Sequence, residues 1–90
     1  MTISIQIKKE RLSPDVPWYQ YTSAYKSFVQ SSNVGVQIDE PDNLTTMTTL
    51  TFIDQAAHDA FWANPIVVKE MADVDTYNNF AKIDKKMRQV

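Results

Sequence analysis

The stretch LTTMTTLTFIDQAAHDAFWANP, Leu44 to Pro65, decides the fold because two periodicities meet in it. Its first half alternates. Leu44, Thr46, Thr48, Leu50 and Phe52 fall on one side, and Thr45, Met47, Thr49, Thr51 and Ile53 on the other. Threonine and β-branched residues suit a pleated surface, so this half reads as a strand. Asp54 then offers an N-cap, and Ala57, Ala60 and Phe61 recur at helical spacing, so the second half reads as a helix. Asn64-Pro65 stops it, and the same pair, Asn at N-cap and Pro at N1, starts a second helical segment. There Val68, Met71 and Ala72 share a spacing, so the helical region is expected to be bent.

Working backwards, EPDN at 40–43 is turn chemistry, and Val34, Val36 and Ile38 before it alternate as a second strand of a hairpin. Tyr25, Phe28 and Val29 form a helical stripe that starts between residues 18 and 23 and ends near 32. Pro14 and Pro17 keep the connection before it extended. Ile3, Ile5 and Ile7 alternate with polar residues over 2–11, the first strand. Ala81, Ile83 and Met87 suit an edge strand whose lysines discourage aggregation, with a basic helix over 80–90 as the alternative. The order strand, helix, strand, strand, helix, strand is the α+β ferredoxin-like βαββαβ plan, one antiparallel sheet with two helices on one face.

The composition narrows the chemistry. Ninety residues predict one domain, 1–90, burying only about 60–65% of its unfolded surface. Without cysteine there is no disulfide, thiolate nucleophile, zinc finger or iron–sulfur ligation. The single glycine, Gly35, rules out a P-loop or a dinucleotide fingerprint, since both need several glycines around the phosphate. The alternating start is unlike a signal peptide, and no apolar run approaches the roughly 20 residues of a membrane span, so a soluble, cytoplasmic protein is expected. Net charge is −2, with basic ends and an acidic middle: residues 37–75 hold eight carboxylates and only Lys69. Asp73, Asp75 and Asp84 lack calcium-loop spacing. Asp39, Glu40 and Asp42 crowd a solvated turn unsuited to acid–base catalysis. No metal or cofactor is expected.

The strand LTTMTTLTFID running into QAAHDAFWANP resembles the dimeric α+β barrel superfamily, which includes small antibiotic-biosynthesis-type monooxygenases. The resemblance covers about residues 44–66. It implies a homodimer paired sheet to sheet, with a ligand sometimes held between sheet and helices. Against dry sheet pairing, Ser4, Gln6, Gln37, Thr45, Thr49 and Thr51 are expected on the open face, with only Met47 and Ile53 apolar. Some members degrade haem with a histidine following a tryptophan on this helix and an asparagine on the first strand. Here His58 precedes Trp62 and Gln6 occupies the strand, which argues against haem. The whole chain, with SPDVPWY at 13–19, looks like small proteins of marine viral or metagenomic origin, a likeness that implies no mechanism.

Three groups are candidate site residues. His58 and Trp62, one turn apart, form a packing pair or line a ligand pocket. Trp18, Tyr19, Tyr21 and Tyr25 suit a core or a partner surface. Lys8, Lys9 and Arg11 on the first strand, with Lys82, Lys85, Lys86 and Arg88 on the last, would make a basic patch for an acidic protein partner. Nucleic acid is disfavoured because TTMTTLTF shows no aromatic for base stacking. The expectation is a small homodimeric interaction or accessory protein without catalytic residues. The alternative is a cofactor-free monooxygenase-like enzyme or small-ligand binder using a pocket between sheet and helices.

Overall fold

In the computed structural model, which describes residues 1–90, the alternating stretches become strands β1 (Ile3–Glu10), β2 (Gly35–Asp42), β3 (Thr45–Phe52) and β4 (Asp84–Gln89). The helical ones become α1 (Ser23–Ser31), α2 (Gln55–Ala63) and α3 (Pro65–Ala81). The four strands make one sheet in the order β2-β3-β1-β4, every neighbouring pair antiparallel. This α+β architecture is compatible with the ferredoxin-like plan. The C-terminal segment is a strand, but a shorter one than the alternation from Ala81 suggests, because α3 runs through Ala81.

Local chemistry sets the boundaries. The Thr22 hydroxyl accepts from Tyr25 N at 3.3 Å to cap α1, and Asp54 Oδ1 accepts from Ala57 N at 2.8 Å to cap α2. Asn64 ends α2 and caps α3, its Oδ1 accepting from Ile66 N at 2.9 Å, so the expected bend is a break between two helices. Asn33 after α1 and Lys82 after α3 take left-handed backbone, φ 54° and 58°. Asparagine tolerates that conformation; lysine is strained by it.

Two boundaries differ from expectation. The β2–β3 turn is not at 40–43 but at Asn43–Leu44, where Asp42 Oδ1 accepts from Leu44 N at 2.8 Å. β2 continues through Glu40 and Pro41 because a bulge between Asp39 and Asp42 absorbs the irregularity, and an edge strand tolerates a proline's missing N–H. On α3 the buried face is Val67, Glu70, Val74 and Asn78, not the stripe through Val68, which is exposed.

Ile5 and Ile7 of β1 and Leu50 and Phe52 of β3 point towards Tyr25, Phe61 and Val67 of the three helices, so all helices cover one sheet face. Only 13 of 90 residues are buried, so the core is thin even for this length. No helix is long and apolar enough to cross a membrane.

Candidate functional site

The helices leave part of the sheet uncovered. Tyr25 of α1 belongs to the core cluster with Leu50 of β3, whereas all eight residues of β2 are exposed. Val36 and Ile38 pair with Leu50 and Thr48 of β3, so they stand on the helix side of the sheet. Leu50 is buried, whereas Val36 and Ile38 are 47% and 63% exposed. Between them and Tyr25 and Val29 of α1 runs a groove of about 350 Å³, floored by Leu50 and Thr48, with Lys26 and Gln30 at its exposed side.

A polar network fixes the α1 wall. Glu70, buried on α3, accepts from Thr22 N at 2.8 Å and from the Thr22 hydroxyl at 2.9 Å, and Tyr19 OH donates to it at 3.3 Å. The carboxylate therefore holds the first turn of α1 against α3. Tyr21 stacks on Tyr25 with centroids 5.1 Å apart and meets Tyr19 edge-on at 5.3 Å. Both Tyr21 and Tyr25 line the groove. Burial raises the pKa of each phenol. Lys9, buried on the helix side of β1, donates to Tyr21 OH at 3.1 Å. Burial, reinforced by nearby Lys85 and opposed by Asp75, lowers the Lys9 amine to about 8. Tyr77 OH donates to the Pro17 carbonyl, tying the segment before Trp18 to α3.

His58 and Trp62 do share a face of α2, but they line none of this groove. The His58 ring meets Phe52 edge-on at 5.3 Å and Trp62 at 6.3 Å, while Nδ1 lies 2.9 Å from Asp59 Oδ1. Trp62 in turn packs edge-on against Phe61 at 5.1 Å. The pair closes one end of the core. The aromatic run also divides. Tyr19, Tyr21 and Tyr25 stay together, whereas Trp18 leaves them and lies under the Arg11 guanidinium at 4.6 Å.

The basic residues do not form one patch. Strand neighbours point to opposite faces, so Lys8, Lys86 and Arg88 reach the open face while Lys9 and Lys85 turn to the helices. Lys85 pairs with Asp75 at 2.7 Å. Arg11 is consumed by backbone: Nε and Nη2 donate to Asn43 O at 2.9 and 2.6 Å, and Nη1 to Val16 O at 2.8 Å. Lys82 is the C-cap of α3. On the open face Lys8 meets Glu10 at 3.3 Å, Lys86 meets Asp84 at 3.8 Å, and Arg88 donates twice to Gln6 Oε1 at 3.1 and 3.0 Å. These three cations, with Gln6, Met47 and Met87, line a recess of about 590 Å³. No cluster of three or more His, Cys, Asp or Glu side chains is arranged to hold a metal ion.

Two features of the site escape the sequence patterns. The alternation of β2 marks a face to be buried but not that α1 stops short of it. Glu70 sits on the buried face of α3, where a polar letter suggests the surface. Comparison with protein-family models, curated proteins and solved structures finds no match.

Proposed function

We propose that this chain is a protein-interaction module working as a homodimer, with the α1–β2 groove and the outer side of β2 as its contact surface. One observation carries the reading: Val36 and Ile38 stand on the helix side of an edge strand with no helix above them. Apolar side chains grouped beside an open groove mark association surfaces in soluble proteins. A thin core adds motive, because small domains without disulfides or metals gain stability by associating. We read the fold as ferredoxin-like. A dimeric barrel pairing sheet face to sheet face is disfavoured by the charged and polar residues of the open face, where Met47 lies among Gln6, Lys8, Glu10, Lys86 and Arg88.

A second reading, a small apolar ligand in the same groove, is favoured by the Tyr21–Tyr25 stack in its wall. Monooxygenase-like chemistry by His58 and Trp62 gains no support from their place in the core margin. Sedimentation equilibrium separates the two readings. The homodimer reading expects a dimer with a dissociation constant of micromolar order, as for a small interface. Ile38→Lys is expected to return the 10.3 kDa monomer with an unchanged circular dichroism spectrum. A wild-type monomer at every concentration up to about 1 mM, weaker than any specific small interface, would refute it.

A further inference from the structure

The regular part of β2 is short. From Gly35 to Asp39 the strand pairs with β3 without interruption, and beyond Asp39 the bulge and Pro41 break the line. A bulge twists an edge away, and proline cannot donate to a new strand. The outer side of β2 therefore offers a five-residue segment, Gly35–Asp39, with Gln37 at its centre. The opposite edge, β4, carries Lys85, Lys86 and Arg88, the charged kind of edge that resists pairing with itself.

We infer that two copies of this chain join through β2 in antiparallel register about a two-fold axis at Gln37, making one eight-stranded sheet. This rests on the homodimer reading above and assigns its geometry. Directly opposed residues of an antiparallel pair share a face, so an axis at Gln37 sets Val36 against Ile38 of the partner subunit, and Ile38 against Val36 of the partner subunit. Four apolar side chains then fill the space between the two copies of α1, on the side where each groove is open. Charge agrees with this register. Asp39 opposes Gly35 of the partner subunit and Glu40 opposes Val34 of the partner subunit, so no carboxylate faces another.

Neighbouring registers do worse. An axis at Ile38 brings Glu40 against Val36 of the partner subunit and leaves one apolar pair. An axis at Asp39 opposes two carboxylates directly. A shift by half a step sets Ile38 against Asp39 of the partner subunit and Val36 against Pro41 of the partner subunit. A one-residue slip inverts side-chain faces, which is why the apolar pair fixes the register so strongly. Pairing β2 with β4 of a second copy would bring opposite charges together but would not close, and would grow into chains.

The absence of cysteine makes the test direct. Three single variants of the full chain are oxidised and run on non-reducing gels: Gln37→Cys at the proposed axis, Thr49→Cys at the middle of the open sheet face, and Lys86→Cys on β4. Opposed cross-strand Cβ atoms lie about 4.5–5.5 Å apart, close enough for a disulfide after a small shift. Gln37→Cys is expected to cross-link to a covalent dimer at least about tenfold faster than the other two, because assembly raises the effective thiol concentration. Adding Ile38→Lys should remove that advantage. Hydrogen exchange on the unmodified chain is a second readout: the alternate amides of residues 35–39 that point away from β3 are expected to gain protection as concentration rises. A dimer by sedimentation in which Thr49→Cys or Lys86→Cys links faster overturns the β2 geometry and leaves the homodimer reading standing. Species larger than dimer overturn the two-fold closure in favour of β2–β4 chains. A wild-type monomer overturns both the geometry and the reading beneath it.

Discussion

At Lys9 the chain sets an amine on the same face as Ile3, Ile5 and Ile7, against Tyr21 and near Lys85 and Asp75. Its folded value of about 8 lies below the ordinary 10.5. Below pH 8 both folded and unfolded chains hold the proton, and the full cost of burying the charge is present. Between 8 and 10.5 the unfolded chain holds more protons, so this residue's contribution to stability improves as pH rises. Relative to Lys9→Met, the wild type is therefore expected to gain stability from about pH 7 to pH 9.5, measured by denaturant melts of both proteins. A constant difference would mean that the amine reaches solvent. Phe61, 3% exposed and set among the rings of Phe28, Phe52 and Trp62, behaves differently. Phe61→Ala should cost about 3–5 kcal/mol, and a loss under about 1 kcal/mol would contradict its place in the core. Phe61 was legible in the sequence from its alanine-rich stripe. The burial of Lys9 was not legible from the string KKER, whose summed charges read as a basic surface, although period two carried one step past Ile7 sets it on the core face.

At the scale of elements, the Glu70 carboxylate ties the start of α1 to α3. Glu70→Ala leaves the Thr22 N–H and the Tyr19 hydroxyl without this acceptor, and should cost about 2–3 kcal/mol in denaturant melts, as expected for hydrogen bonds to a charged group. A cost below about 0.5 kcal/mol would show the start of α1 to be held by other contacts. The end of α3 offers the opposite change. Lys82 sits at φ 58°, so Lys82→Gly should stabilise by about 1 kcal/mol, unless the lysine makes a compensating contact that the melt would reveal. The caps at Asp54 and Asn64 were readable because side-chain capping is local chemistry. The buried face of α3 was not. Val67 and Val68 are adjacent and equally apolar, and two of the four buried positions, Glu70 and Asn78, are polar. Hydrophobic spacing then selects the wrong neighbour, and only the position of α1 decides between them.

For the whole molecule, the basic ends and acidic middle visible in the sequence become a sheet whose β4 edge is basic and whose β2 bulge is acidic. Neither enters the apolar contact proposed at Val36 and Ile38. Raising salt from about 50 to about 500 mM should therefore change the dimer association constant by less than about threefold, because screening acts on exposed charges. A tenfold fall would place the charged open face in the interface instead. Sequence patterning supplied the order of elements along the chain, but not which strand lay uncovered, since that depends on where α1 comes to rest. The sheet order has a consequence for synthesis. β1 is central, yet one of its two neighbours is β4, and the Gln6–Arg88 hydrogen bonds join residues 82 apart. Contacts so distant along the chain slow folding. As the chain is made, β1, β2 and β3 can pair while one side of β1 stays open until β4 follows. The flank of the central strand thus stays exposed until the sheet's last strand has been made.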